Sequence, residues 1–102
     1  MHLIQLFLPL YDNAGRGFER EMFDTVRREL TDRFGGATAY ARAPARGDWE
    51  DADGEVQRDD VVLFETMTDI VDRDWWAKYR STLEQRFRQD QVLVRATSVE
   101  ML

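Results

Sequence analysis

Five polar or charged side chains from four separate stretches of the sequence, Gln5, Tyr40, Arg42, Glu65 and Arg95, are of the types that a small-molecule site uses. An arginine can steady a developing oxyanion and a glutamate can shuttle a proton, while a tyrosine offers a flat ring with a polar tip. Trp75 is a sixth candidate, as a wall of such a pocket. The competing reading is structural. Glu65 pairs with Arg95 or Arg42 inside an interface, because a buried charge is costly unless it is paired. Either reading requires a fold that gathers these residues on one face.

The elements that could do so are legible along the chain. His2 to Leu10 is a short apolar run without helical period, bounded by the turn-prone "YDNAGRG", and reads as a strand. Phe18, Met22, Val26, Leu30 and Phe34 then recur every fourth residue, which predicts an amphipathic helix that Gly35 and Gly36 end. Glu19 and Glu21 fall in its first turn, where the helix dipole favours anions. "ATAYARA" and "DDVVLFETM" read as strands of a long hairpin. A tight turn at "DADG" sets Trp49 opposite Val56, Ala41 opposite Phe64 and Ala39 opposite Thr66, with a bulge near Pro44 as the feature that could shift this register. A second helix runs from about Asp72 to Arg88, capped by Asp69 or Asp72, and "QVLVRAT" is the last strand.

The order strand, helix, strand, strand, helix, strand predicts an α+β, ferredoxin-like βαββαβ domain over residues 1–102. Its four antiparallel strands carry both helices on one face, with the first and third strands central. Alternation places Ile4, Leu6 and Leu8 under the helices. Leu3, Gln5, Phe7, Tyr40, Arg42, Leu63, Glu65, Met67, Leu93 and Arg95 then share the open side. That side is too apolar to face water on a small monomer. A second copy packed sheet to sheet is the simplest cover, since a twofold axis makes one patch self-complementary. The expected partners are therefore a second copy through this face and a possible small-molecule ligand. A different protein partner is the competing cover.

The stretch "DWWAKYR" sets two indoles side by side on the second helix. With Trp75 at zero on a wheel of about 100° per residue, Tyr79 lies near 40°, Leu83 near 80°, Trp76 near 100° and Phe87 near 120°. Trp76 is thus expected in the core and Trp75 at its rim, where an indole can bury its ring and keep its N–H near water.

Several functions are disfavoured. A net charge of -6 argues against nonspecific attraction to nucleic acid or anionic lipid. The strand "RDDVVLFE" lacks the basic, glycine-containing aromatic motif of RNA-binding sheets. No apolar run approaches the roughly 20 residues of a membrane span, so a cytoplasmic protein without membrane contact is expected. Without cysteine there is no disulfide, thiolate nucleophile or cysteine metal site, and no cofactor or metal is expected. A histidine at position 2 gives no support to Ser-His-Asp catalysis. The "GRG" before the first helix lacks the spacing and lysine of a phosphate loop, and Asp12, Glu19 and Glu21 would repel an anion. "DWEDADGE" resembles a calcium loop through Asp51, Asp53 and Gly54, but Trp49 occupies the place of the first acidic ligand. Lys78 is the only lysine, an arginine bias that points to a GC-rich bacterial genome.

The element order, the sheet face that wants covering and the Arg-rich second helix resemble the dimeric α/β-barrel superfamily, which includes antibiotic-biosynthesis-type monooxygenases. "RFGGATAY", "GDW", "DDVVLFE" and "RFRQDQVLVR" resemble an uncharacterised bacterial domain family of unknown function, which supplies no catalytic residue. Barrel relatives that bind haem use a cavity histidine, and His2 is the only histidine here. The residues and the resemblance together imply a homodimeric small-molecule-binding or structural domain. The alternatives are a cofactor-independent monooxygenase or isomerase acting on a small aromatic or apolar substrate, and an interaction module without a cavity.

Overall fold

A computed structural model describes residues 1–42 and 60–102. The expected turn at Asp51 to Gly54, the Trp49 and Val56 pairing, the bulge near Pro44 and the calcium-loop reading all lie outside the described residues. So does the side chain of Arg42.

The strands are β1 (His2–Pro9), β2 (Thr38–Arg42), β3 (Val61–Thr68) and β4 (Leu93–Ser98), and the helices are α1 (Arg20–Phe34) and α2 (Arg73–Arg86). They form one antiparallel sheet in the order β2-β3-β1-β4, with β1 and β3 central. This is the ferredoxin-like α+β fold that the element order predicts. Alternation decides which residues are buried. Ile4, Leu6 and Leu8 of β1 and Val62, Phe64 and Thr66 of β3 are buried, and they pack with Val26 and Leu30 of α1 and Trp76, Tyr79 and Leu83 of α2. Thr66 is accommodated in this apolar layer because its Oγ1 donates to the Gly36 carbonyl at 2.6 Å.

α1 starts two residues later than its hydrophobic period suggests. Phe18 lies before the helix, with its ring edge-on to Phe87 at 5.1 Å and to Phe23 at 6.4 Å. α1 ends where Gly35 adopts φ 81°, a conformation a Cβ would penalise, and the Gly35 N–H bonds the Thr31 carbonyl. Of the two candidate caps of α2, Asp72 is the one used, its Oδ1 accepting from the Trp75 N–H at 3.1 Å. α2 stops at Arg86 rather than Arg88, which has left the helical region with φ 52°.

The helices run antiparallel. Phe23 packs against Phe87, Glu29 against Tyr79 and Arg86, and Phe34 against Trp75 and Trp76. Trp76, 7% exposed, stacks on Phe34 at 5.2 Å. Trp75 is half-buried, stacks on Tyr79 at 4.8 Å and meets Trp76 edge-on at 4.7 Å. The Arg33 guanidinium lies 4.4 Å above its ring. The second indole is thus packed between the helices.

Candidate functional site

The open face is built by strand register. Gln5 lies opposite Glu65 on one side and Arg95 on the other, and Phe7 lies likewise between Leu63 and Leu93. Leu3 is opposite Met67, and Tyr40 is opposite Leu63. β2 is two residues out of its expected register, with Ala41 opposite Val62 instead of Phe64. A slip of two keeps the same side chains on the same face, so Tyr40 stays on the open side. Arg42 closes β2 opposite Val61.

At the centre of this face, Arg95 Nε donates to Gln5 Oε1 at 2.7 Å, and Gln5 Nε2 donates to Glu65 Oε2 at 2.7 Å. The expected direct pairing of Glu65 with Arg95 is therefore replaced by a relay. β3 and β4 flank β1, which separates their side chains by two strand spacings of about 4.8 Å each, and the amide between them fills that gap. The glutamine orients both charges because it offers a carbonyl to one and N–H donors to the other. The Arg95 guanidinium also lies 4.9 Å from the Phe7 ring centroid. Around this polar line, Leu3, Phe7, Leu63 and Met67 are half-buried, while Tyr40 and Leu93 are 49% and 52% exposed.

Glu65 also borders a cleft of about 310 Å3 that runs along Phe34 to Thr38 and across Glu65 to Met67. The last turn of α1 ends at this cleft, and helix carbonyl ends carry partial negative charge. With Glu65 beside them, the cleft is suited to a ligand that donates hydrogen bonds.

Trp75 does not join these residues. It belongs to the helical layer, packed on Phe34, Trp76 and Tyr79, and it is not among the residues that line the Glu65 cleft.

The polar cluster that the sequence does not reveal lies between the helices. Arg86 holds Glu29 through two bonds, Nη1 to Oε1 at 2.6 Å and Nη2 to Oε2 at 3.2 Å, and the Tyr79 hydroxyl donates to Oε1 at 3.1 Å. The bonds from Arg86 hold the Glu29 carboxyl below its ordinary value, in spite of the opposing effect of burial. Burial, and then the adjacent Glu29 charge, push the Tyr79 hydroxyl up. Glu29 raises Arg86 in turn. A three-residue step from Val26 to Glu29 on the buried side of α1 is the one sequence signal for it.

In the loop before α1, Asp12 Oδ1 accepts from the Ala14 and Arg16 N–H groups at 2.9 and 2.8 Å. Those amides bind their own carboxylate, as in an ordinary Asx-type turn.

Comparison with solved structures adds one neighbour. The fold resembles that of a phage SAM lyase. That structure, a complex with S-methyl-5'-thioadenosine, matches with a TM-score of 0.62 over 95% of this chain and 80% of the neighbour's, at 15% identity. The likeness is one of fold. No protein-family model matches the chain, and no curated protein matches it in sequence. Among the described residues, no helix is long and apolar enough to cross a membrane, and no cluster of metal-ligating side chains forms.

Proposed function

We propose that this chain is a small-molecule-binding domain that works as a homodimer, with the open sheet faces of two copies packed together. The observation that carries this reading is the Arg95–Gln5–Glu65 line set into an apolar face. An apolar face calls for a cover, and the ordered polar groups at its centre give a ligand something to recognise. A second copy related by a twofold axis would lay Leu3, Phe7, Leu63, Met67 and Leu93 against their own equivalents and close the mouth of the Glu65 cleft. The ligand class is a compact molecule with an apolar or aromatic body and an N–H or O–H group directed at Glu65.

S-methyl-5'-thioadenosine is a suitable first probe, because it combines a flat base, an apolar thioether and several donors, and it is the molecule held by the structural neighbour. Titration of the full chain, followed by amide shifts, should move residues Leu63 to Met67 and Thr38. Glu65→Ala should remove those shifts and leave the fold intact. A Glu65→Ala variant that loses stability but binds the probe as before would assign Glu65 to structure alone.

A further inference from the structure

The helical side of the sheet holds a second cavity that the open-face reading does not use. It lies between α2 and the free edge of β4, with a volume of about 200 Å3. Ile4, Val94, Val71 and Trp76 give it apolar walls, and Ile4 and Trp76 are both core residues. Arg73, Ala77 and Arg80 supply the α2 side. Steps of four and three residues put these on one flank of the helix, with the arginines about 10 Å apart along its axis. The short side chain of Ala77 between them leaves the space open.

Charge is the second observation. The chain carries a net -6, yet among the described residues no acidic side chain lines this cavity. Arg95 borders it from β4, although its guanidinium is committed to Gln5 and Phe7 on the other face. Arg80 is 4.0 Å from Glu84, at the outer limit of an ion pair and with an exposed guanidinium. Among the described residues Arg73 forms no ion pair, so Arg73 and Arg80 stand beside an apolar recess as the cations nearest to a ligand held there.

We propose that this cavity binds a small organic anion, a carboxylate on a short apolar or aromatic body. The body would rest on Ile4, Val94 and Trp76, and the head would lie within reach of Arg73 and Arg80. An apolar cavity of about 150 Å3 is enough to hold benzene, so a space of this size takes a single-ring molecule. Benzoate meets that limit, and a macromolecular segment does not. Arginine suits the head because its planar fork matches a carboxylate in two parallel bonds.

The test is a titration of the full chain with benzoate, read by proton–nitrogen correlation spectra. The expected result is saturable shifts at the Trp76 indole and at Ala77, Val94 and Ala96, with Leu63 to Met67 unmoved, which separates this site from the Glu65 cleft. Benzyl alcohol, the same ring without charge, and acetate, the same head without the ring, should each bind at least about tenfold more weakly. The double variant Arg73→Gln/Arg80→Gln should weaken benzoate by a similar factor, and Ala77→Leu should fill the space and abolish binding. The arginines are exposed, so their replacement keeps the test valid if Ala77→Leu fails to fold. Benzyl alcohol binding as tightly as benzoate, or unaltered benzoate binding by the double variant, would overturn the proposal. So would the absence of shifts at these four residues.

Discussion

Gln5 Nε2 lies 2.7 Å from Glu65 Oε2, across the two central strands of the sheet. At neutral pH the amide serves both neighbours where a carboxylate would not, since Arg95 needs an acceptor at position 5 and Glu65 needs a donor.

Gln5→Glu should therefore destabilise the fold at neutral pH. It brings two carboxylates together, and Arg95 offsets only part of the repulsion. The expected penalty is about 1–2 kcal/mol. Such a pair has a raised folded-state pKa, so the penalty should be absent at low pH and appear as pH rises through that value. Urea unfolding of variant and parent across the acidic range measures it. A penalty independent of pH would mean that the two groups do not meet.

Glu29 gives the opposite sign. Arg86 and Tyr79 hold its carboxyl below the ordinary 4.5, so its contribution is present above that value and lost as pH falls through the depressed folded-state pKa. Partial exposure of both partners screens the pair, and its worth is about 1 kcal/mol. Glu29→Gln should lower stability at neutral pH by about that amount and remove this part of the acid sensitivity. Denaturant midpoints at neutral and acidic pH are the measurement.

The two tryptophans should separate in energy although they are adjacent in sequence. Trp76→Ala empties a core position stacked on Phe34 and should cost about 3–5 kcal/mol. Trp75→Ala removes a half-buried ring and the surface under Arg33, and should cost about 1–2 kcal/mol. Equal losses in chemical denaturation would contradict the assignment of Trp76 to core and Trp75 to rim.

The sheet was legible in the sequence because alternation is a local signal. Gln5 between Ile4 and Leu6 marks the outward set of β1, and Glu65 between Phe64 and Thr66 does the same for β3. Parity also explains why an error of two residues in the β2 register left Tyr40 on the correct face. What depended on distance between elements was less accessible. Of the two expected partners of Glu65, Arg95 is reached through Gln5 because a strand stands between them, a separation that charge alone does not reveal, and the side chain of Arg42 lies outside the described residues. The Glu29, Tyr79 and Arg86 cluster joins positions 50 and 57 residues apart, and only the helix crossing brings them together. Trp75 was grouped with the open face by its chemistry, but its place on α2 commits it to the helical side.

The most direct test is the solution mass of the chain and of Leu93→Arg, by light scattering after size exclusion at micromolar concentration. Leu93 is 52% exposed on the open face, so the substitution spares the protomer's own core. The expected result is a parent species of twice 12.0 kDa and a folded Leu93→Arg species of 12.0 kDa. A parent chain that runs at 12.0 kDa would contradict the sheet-to-sheet assembly, as would a Leu93→Arg variant that still runs at twice that mass.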